Sequence, residues 1–408
     1  MNLKLDLWLR ALFKYLIKVN IEVRFAHNWN DGKMEYWNIG RTQGWENRNN
    51  RKMADYSGKK HMVSALMRRY TDRVPVTVLI GPYCSRLTNY SIKEILQDAK
   101  KSSEAHLAFY DRFAPDSLII YNDIYLEVEA LGCELEFPED DISHPKTVLL
   151  DDKSRLARLK MPDPHRDGRI PYFIEVCERV SARVRKTAAL GLGHSGPWNI
   201  AMHLRGTEAL LLDTFSDPAF VHDLMRFSTE VVRTMGDALI EAGFSPSLGE
   251  AAASCSLISP QIYRDFIKPY HKELCIYFRS KKTFPALHIC GEIDLIIQDV
   301  VDTGIKFLSL DAPSSLRRLL ETGSGKVTVM GNIPTTFFSK GTRLEMEKAI
   351  RDCIETAAAG SGYILASGCE IPLDSTEDRI DHFFNYGRQY GRQFMSNLKE
   401  RRPELFRA

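Results

Sequence analysis

The chain has 408 residues, with 55 Lys and Arg against 53 Asp and Glu. The resulting net charge of +2 gives no global field for nucleic acid or for an anionic surface. Apolar residues at 44% and charged residues at 26% describe a globular protein with a large core and exclude a disordered or fibrous chain.

Eight scattered cysteines without a secretory signal point to a reducing compartment, so the cytoplasm is the expected location. Length alone allows two average domains or one α/β barrel with insertions. Residues 3–19 set Lys4, Arg10, Lys14 and Lys18 among Leu5, Trp8, Leu9, Leu12, Leu16 and Ile17. That is a basic amphipathic helix able to lie on a membrane or act as a transit sequence. Its apolar run is too interrupted to span a bilayer, so no transmembrane segment is expected. Residues 28–50 are rich in Asn, Gly and Trp and show no period, which reads as loop. Four of the five tryptophans, Trp8, Trp29, Trp37 and Trp45, fall in this region. The expected organisation is therefore an extension over 1–52, basic and then loop-rich, and a working body over 53–408 that starts near Met53.

From Arg73 onward, β-branched runs alternate with longer helical patterns, the signature of βα units on a parallel sheet. Strands are predicted at 76–80, 117–122, 188–193, 247–250, 284–290, 306–310, 327–331 and 363–367. Helices are predicted at 92–113, 173–186, 218–242, 260–279, 293–303, 344–359 and 377–399. Ser216-Asp217-Pro218 and Ser259-Pro260 mark helix starts, where a capping side chain precedes a proline whose missing donor costs nothing in the first turn. Eight such units predict a single α/β domain folded as a (β/α)8 TIM barrel, with a doubly wound sheet as the alternative. The polar, proline-rich stretch 131–171 reads as an insertion near the barrel mouth.

In a barrel the carboxyl ends of the strands converge, so the residues there are the chemical candidates: Asp123, His194, Glu250, His288, Cys290, Asp311, Asn332 and Cys369. His288 and Cys290 stand two apart on a strand and point the same way. With Cys369 they offer one nitrogen and two sulfurs to zinc, leaving a fourth position open as a catalytic site requires. Asp311 and Glu250 are alternative fourth ligands or bases, or else helix-capping carboxylates. The loop Gly191-Leu192-Gly193-His194-Ser195-Gly196 lacks the Lys-Ser/Thr ending of a P-loop and reads as a tight turn.

Several segments carry a resemblance. They are Asp72-Arg73-Val74-Pro75-Val76, Gly196-Pro197-Trp198 with Leu204-Arg205-Gly206, the run from Glu250 to Pro260, His288-Ile289-Cys290-Gly291, Gly331-Asn332-Ile333-Pro334 and Ser367-Gly368-Cys369-Glu370-Ile371-Pro372. Over residues 58–393 the chain resembles the uroporphyrinogen decarboxylase superfamily, and within it the corrinoid-dependent methyltransferases. The resemblance implies a (β/α)8 barrel and a zinc ion on His288, Cys290 and Cys369. It also implies a small-molecule methyl donor or acceptor and a methylcobalamin or other corrinoid supplied on a partner protein. Asp123 matches the superfamily's acid after the second strand and joins Glu250 and Asp311 as a catalytic candidate. His203, standing where a tyrosine is expected, joins His194 and Asn332 as candidate substrate-binding residues.

A tetrapyrrole decarboxylase is the alternative activity, and a non-catalytic zinc- or tetrapyrrole-binding barrel the other. The arginine-rich segment that decarboxylases place after the first strand is absent from Ile80-Gly81-Pro82-Tyr83-Cys84-Ser85-Arg86. Many members carry Asp-Pro where this chain has Glu250-Ala251.

Overall fold

The computed structural model describes residues 58–121, 123–323 and 325–407. The expected amphipathic segment 3–19 and the loop-rich 28–50 lie outside the described residues.

The short apolar runs pair into one parallel sheet: β1 (Ser117–Ile120), β4 (Ala189–Ser195), β5 (Ser247–Glu250), β6 (Ala286–Ile289), β7 (Phe307–Leu310), β8 (Thr328–Ile333) and β9 (Tyr363–Ser367), hydrogen-bonded in that order. A separate two-stranded hairpin, β2 (Leu135–Glu136) with β3 (His144–Pro145), belongs to the insertion. Every residue of β8 and β9 is buried, as expected of parallel strands covered on both faces.

Helices occupy the crossovers: α1 (Gly58–Leu66), α2 (Ile92–Gln97), α3 (Ala99–Phe113), α4 (Leu126–Ala130), α5 (Ile170–Val184), α6 (Pro197–Arg205), α7 (Thr207–Ser216), α8 (Pro218–Glu241), α9 (Pro260–Ile262), α10 (Lys268–Ser280), α11 (Ile297–Asp302), α12 (Leu316–Gly323), α13 (Arg343–Ala357) and α14 (Glu377–Arg401). In α8, Asp217 accepts a hydrogen bond from the Phe220 N–H, and Val221, Leu224, Met225, Val232 and Met235 line the buried face at helical spacing. At the amino end of the sheet, Met62 and Ala65 of α1 pack against Met330, Ile364 and Ala366, with Leu79, Ile119, Ala189 and Phe307 around them. That plug leaves the carboxyl end as the face where chemistry can occur.

Eight regular strands were expected, and the sheet has seven. The segment 75–79 makes only isolated parallel bridges, Val76 with Leu365 and Leu79 with Glu370. Side chains take the place of its ladder: the Val76 N–H donates to Asp116 Oδ2 at 2.7 Å and the Leu79 N–H to Ser367 Oγ at 3.0 Å. It nevertheless touches both ends of the sheet, since Asp116 N–H donates to Val76 O and Thr77 N–H to Leu365 O. The sheet is therefore curled, and a bidentate ion pair between Arg73 and Asp116, at 2.6 and 2.7 Å, fixes the entry to that segment.

Two expected helices are broken for local reasons. The span 92–113 divides at Asp98, whose carboxylate caps α3 by accepting from the N–H groups of Lys100 and Lys101. The span 260–279 contains a π turn at Tyr263–Ile267. It falls just before Pro269, which has no N–H to give and whose ring clashes with the carbonyl four residues back.

The insertion is held against the strand ends by Arg169. Its guanidinium reaches Asp123, Glu129 and the carbonyl of Leu96, and lies 4.6 Å from the Phe137 ring centroid.

Candidate metal centre

Strand β6 delivers His288, and Cys290 follows one residue beyond its end. In register with His288 on the neighbouring strand is Ser309. The His288 Nδ1 lies 3.0 Å from Ser309 Oγ and 3.3 Å from Ser309 O, which orients the ring and turns Nε2 toward the sulfurs. Cys369 enters two residues past β9. His288 Nε2 is 3.1 Å from Cys290 Sγ and 3.7 Å from Cys369 Sγ, and the two sulfurs are 3.5 Å apart.

Around a tetrahedral zinc, bond lengths of about 2.3 Å to sulfur and about 2.0 Å to nitrogen set sulfur–sulfur and sulfur–nitrogen edges of about 3.8 and about 3.5 Å. The observed triangle matches these to within a few tenths of an ångström, so the donor set fits the ion. Among the described residues it is the one cluster of at least three His, Cys, Asp or Glu ligand atoms that could share a metal.

Electrostatics agree with that reading. The contact with Cys290, and then with His288, holds the Cys369 thiol well below its ordinary value against the opposing effect of burial. The Cys290 thiol is pushed far up by Cys369 and by burial. Two sulfurs this close cannot both ionise without a cation between them.

The loop behind Cys290 is rigidly tied. Gly291 has φ +83°, and a Cβ there would lie 2.7 Å from Ser256 Oγ and 2.8 Å from Ser254 Oγ, so glycine alone fits. Asp311 accepts from the N–H groups of Gly291, at 2.7 Å, and Ala312, at 2.6 Å. Asn332 donates to the carbonyls of Asp311 and Ser314. Asp311 and Asn332 thus stand beside the centre as the scaffold of its loops.

The other candidates lie elsewhere. Register sets Gly249 beside His288 and Glu250 beside Ile289, so Glu250 points away from the ligands into the layer between sheet and helices. There its carboxylate accepts from the N–H groups of Trp198 and Asn199 at the start of α6 and meets His271 Nε2 at 3.0 Å. Gly196 is required for that approach, because a Cβ would stand 2.3 Å from Glu250 Oε1. The glycine loop 191–196 therefore opens a helix whose amino terminus is occupied by the chain's own acid.

His194 is also turned outward, with Nδ1 3.6 Å from Glu127 Oε1; neither ring nitrogen has a hydrogen-bond partner. His203 packs against Tyr125 with ring centroids 4.5 Å apart and planes tilted by 47°, and burial takes its imidazole down to about 4. Asp123 is buried and engaged by Arg169, by Ser143 Oγ at 2.6 Å and by the Tyr125 N–H at 3.1 Å.

Sequence reasoning passed over Ser309, Glu127, His271 and Glu370. Ser309 was open to detection, since it lies two residues before Asp311 and shares its face of β7. Glu370 directly follows a proposed ligand. It is exposed to solvent at the strand ends, yet the protein around it and then Cys369 push its carboxyl up to about 7 against His288.

A curled parallel sheet with its polar residues gathered at the carboxyl end is the architecture, and the chain belongs to the uroporphyrinogen decarboxylase (URO-D) family, whose model matches residues 57–390. Among individual relatives, the methylcobamide:CoM methyltransferase MtaA of Methanosarcina barkeri is 24% identical over 345 residues, covering 80% of this chain and 96% of the relative. The uroporphyrinogen decarboxylase of Trichodesmium erythraeum is 23% identical over 360 residues, covering 83% and 98%. A solved methyltransferase from Methanosarcina mazei superposes with a TM-score of 0.74 at 20% identity, covering 82% of this chain and 99% of its own, which shows the shared fold. The family is one of enzymes, and relatives with each of its two activities match this chain at similar identity. No described helix is long and apolar enough to cross a membrane, and none of the eight cysteines is paired in a disulfide.

Proposed function

We propose that this chain is a zinc-dependent methyltransferase that moves a methyl group between a small molecule, either a thiol or a methoxylated or methylated compound, and the cobalt of a corrinoid carried on a separate protein. The observation that carries this reading is the triangle of His288 Nε2, Cys290 Sγ and Cys369 Sγ, with edges of 3.1, 3.5 and 3.7 Å, at the open end of the sheet. When bound, zinc would hold a thiol as thiolate at neutral pH or polarise the heteroatom that gives up the methyl group. The chain's own contribution is positional. Ser309 fixes the His288 ring, and Asp311, Ser314 and Asn332 fix the loop that presents Cys290. A fourth position remains for the substrate heteroatom.

The decarboxylase alternative is disfavoured on two counts. Asp123, the acid that the resemblance assigns to it, is already engaged by an ion pair with Arg169 and a hydrogen bond from Ser143. The segment after 75–79 also carries Arg86 alone in place of the arginine cluster that would hold an acidic tetrapyrrole. The same reading takes the curled sheet plus segment 75–79 as a full (β/α)8 barrel. It takes residues 53–408 as the working unit with 1–52 as an extension, and the cytoplasm as the location.

Metal analysis tests the proposal. The purified protein is expected to carry about one zinc per chain, and the Cys290→Ser and Cys369→Ser variants to lose it. A zinc-free wild-type protein that takes up none on addition, or serine variants that retain it in full, overturn the reading.

A further inference from the structure

The carboxyl ends of the strands carry charge of one sign. The last residue of each strand of the seven-stranded sheet and of segment 75–79, with the three residues that follow, include Asp123, Glu250, Glu292, Asp311 and Glu370 and no Lys or Arg. Four of these acids have assigned partners. Asp123 meets Arg169, Glu250 meets α6 and His271, Asp311 accepts from two backbone N–H groups, and Glu292 accepts from the Asp294 N–H at 2.6 Å. The Glu370 carboxylate has no hydrogen bond or ion pair among the described residues, although the residue adjoins Cys369.

Its carboxylate lies over the backbone of Gly81, where a Cβ would stand 2.7 Å from Oε2. The Tyr121 phenol is on another side, raised well above its ordinary value by burial and then by the charge of Glu370. Room for a ligand lies across from these groups. A Cβ on Gly193 would meet nothing within 4 Å, and one on Gly249, the register neighbour of His288, would meet only the His194 carbonyl at 3.7 Å. The strand next to His288 thus leaves side-chain space open at Gly249, with further open space two residues lower at Gly193 on the strand beyond, and an uncommitted carboxylate adjoins one corner of the metal-ligand triangle.

We infer that Glu370 is a specificity-determining residue: the small molecule bound at the His288, Cys290 and Cys369 centre presents a cationic or hydrogen-bond-donating group to Glu370, and an anionic tail is excluded. The inference rests on the metal-centre reading above. A carboxylate with no ion-pair partner attracts an ammonium group and repels a sulfonate or carboxylate at the same distance.

Three thiols of one length separate the two ideas: cysteamine, 2-mercaptoethanol and 2-mercaptoethanesulfonate share the reacting sulfur and differ in the charge of the tail. Binding to the cobalt(II)-substituted protein at pH 8.5 is followed through the sulfur-to-cobalt absorption. Cysteamine is expected to bind about tenfold or more tighter than the sulfonate, with 2-mercaptoethanol between them. Glu370→Gln should shrink that ratio to about two, and Glu370→Lys should invert it. A sulfonate that binds as tightly as cysteamine, or a ratio that Glu370→Gln leaves intact, overturns the inference while the metal centre stands. A protein that takes up no cobalt removes the metal centre and the inference together. Metal uptake without binding of any of the three thiols overturns the inference, since none then reaches the centre.

Discussion

His288 and Ser309 show how far a single side chain's role depends on its neighbour. The imidazole is a useful ligand only if its ring is held with Nε2 toward the sulfurs, and the contact from Nδ1 to Ser309 Oγ at 3.0 Å does that. Ser309→Ala is therefore expected to weaken zinc binding about 10- to 100-fold with little change in stability, as read by competition with a chromophoric chelator. Glu250 gives the opposite pattern. Its carboxylate is fully buried and answers two N–H groups and His271. Glu250→Ala should cost about 3 kcal/mol or more in urea denaturation while the zinc content stays unchanged. That His288 and Cys290 face the same way was legible in the sequence because an i, i+2 pair on a strand shares a face whatever else surrounds it. The placement of Glu250 was not, because the side of β5 on which it falls depends on the register with β6, and no local pattern fixes that register.

Among the elements, segment 75–79 was correctly located as an extended apolar run, but its pairing escaped prediction. Whether an extended segment joins a ladder depends on what offers it hydrogen bonds, and here Asp116 and Ser367 side chains outcompete backbone carbonyls. The Arg73–Asp116 pair is 5% and 2% exposed, so removing one partner strands a buried charge. Asp116→Ala is predicted to lose about 3–5 kcal/mol by equilibrium unfolding. The π turn before Pro269 and the break at Asp98 were both marked in the sequence by residues with a known local effect, although each span read as one continuous helix.

Helix α3 carries a pH-sensitive link to the strand ends. His106 is fully buried, with Nδ1 2.7 Å from the Ser102 carbonyl and Nε2 accepting from the Tyr121 N–H at 2.8 Å. Burial lowers its pKa from 6.5 to about 4. A neutral histidine in the folded state against a titrating one in the unfolded state gives stability that is complete above pH 6.5 and lost as pH falls toward 4. The loss from this group amounts to about 3 kcal/mol. His106→Gln can keep both hydrogen bonds and cannot titrate, so its unfolding free energy should fall less between pH 6.5 and 4 than that of the wild type.

Across the molecule, the curled sheet is closed by α1 at its amino end and gathers the metal-type ligands at the other, beside an insertion anchored through Arg169 to Asp123. The alternation of short strands and helices was enough to set the candidate residues at the carboxyl ends of the strands, whereas the helix at Gly58–Leu66 was not predicted. The anchoring of the insertion was beyond sequence reasoning, because Arg169 and Asp123 are 46 residues apart and joined by no periodic element.

The central claim is that the centre transfers methyl groups, and the most direct measurement mixes zinc-loaded protein with methylcobalamin and cysteamine and follows the absorbance of the cobalt–carbon bond. Demethylation at least about a hundredfold faster than without protein, lost on zinc removal and in Cys369→Ser, is the predicted result. A rate equal to the protein-free background, or one indifferent to zinc and to Cys369, would contradict it.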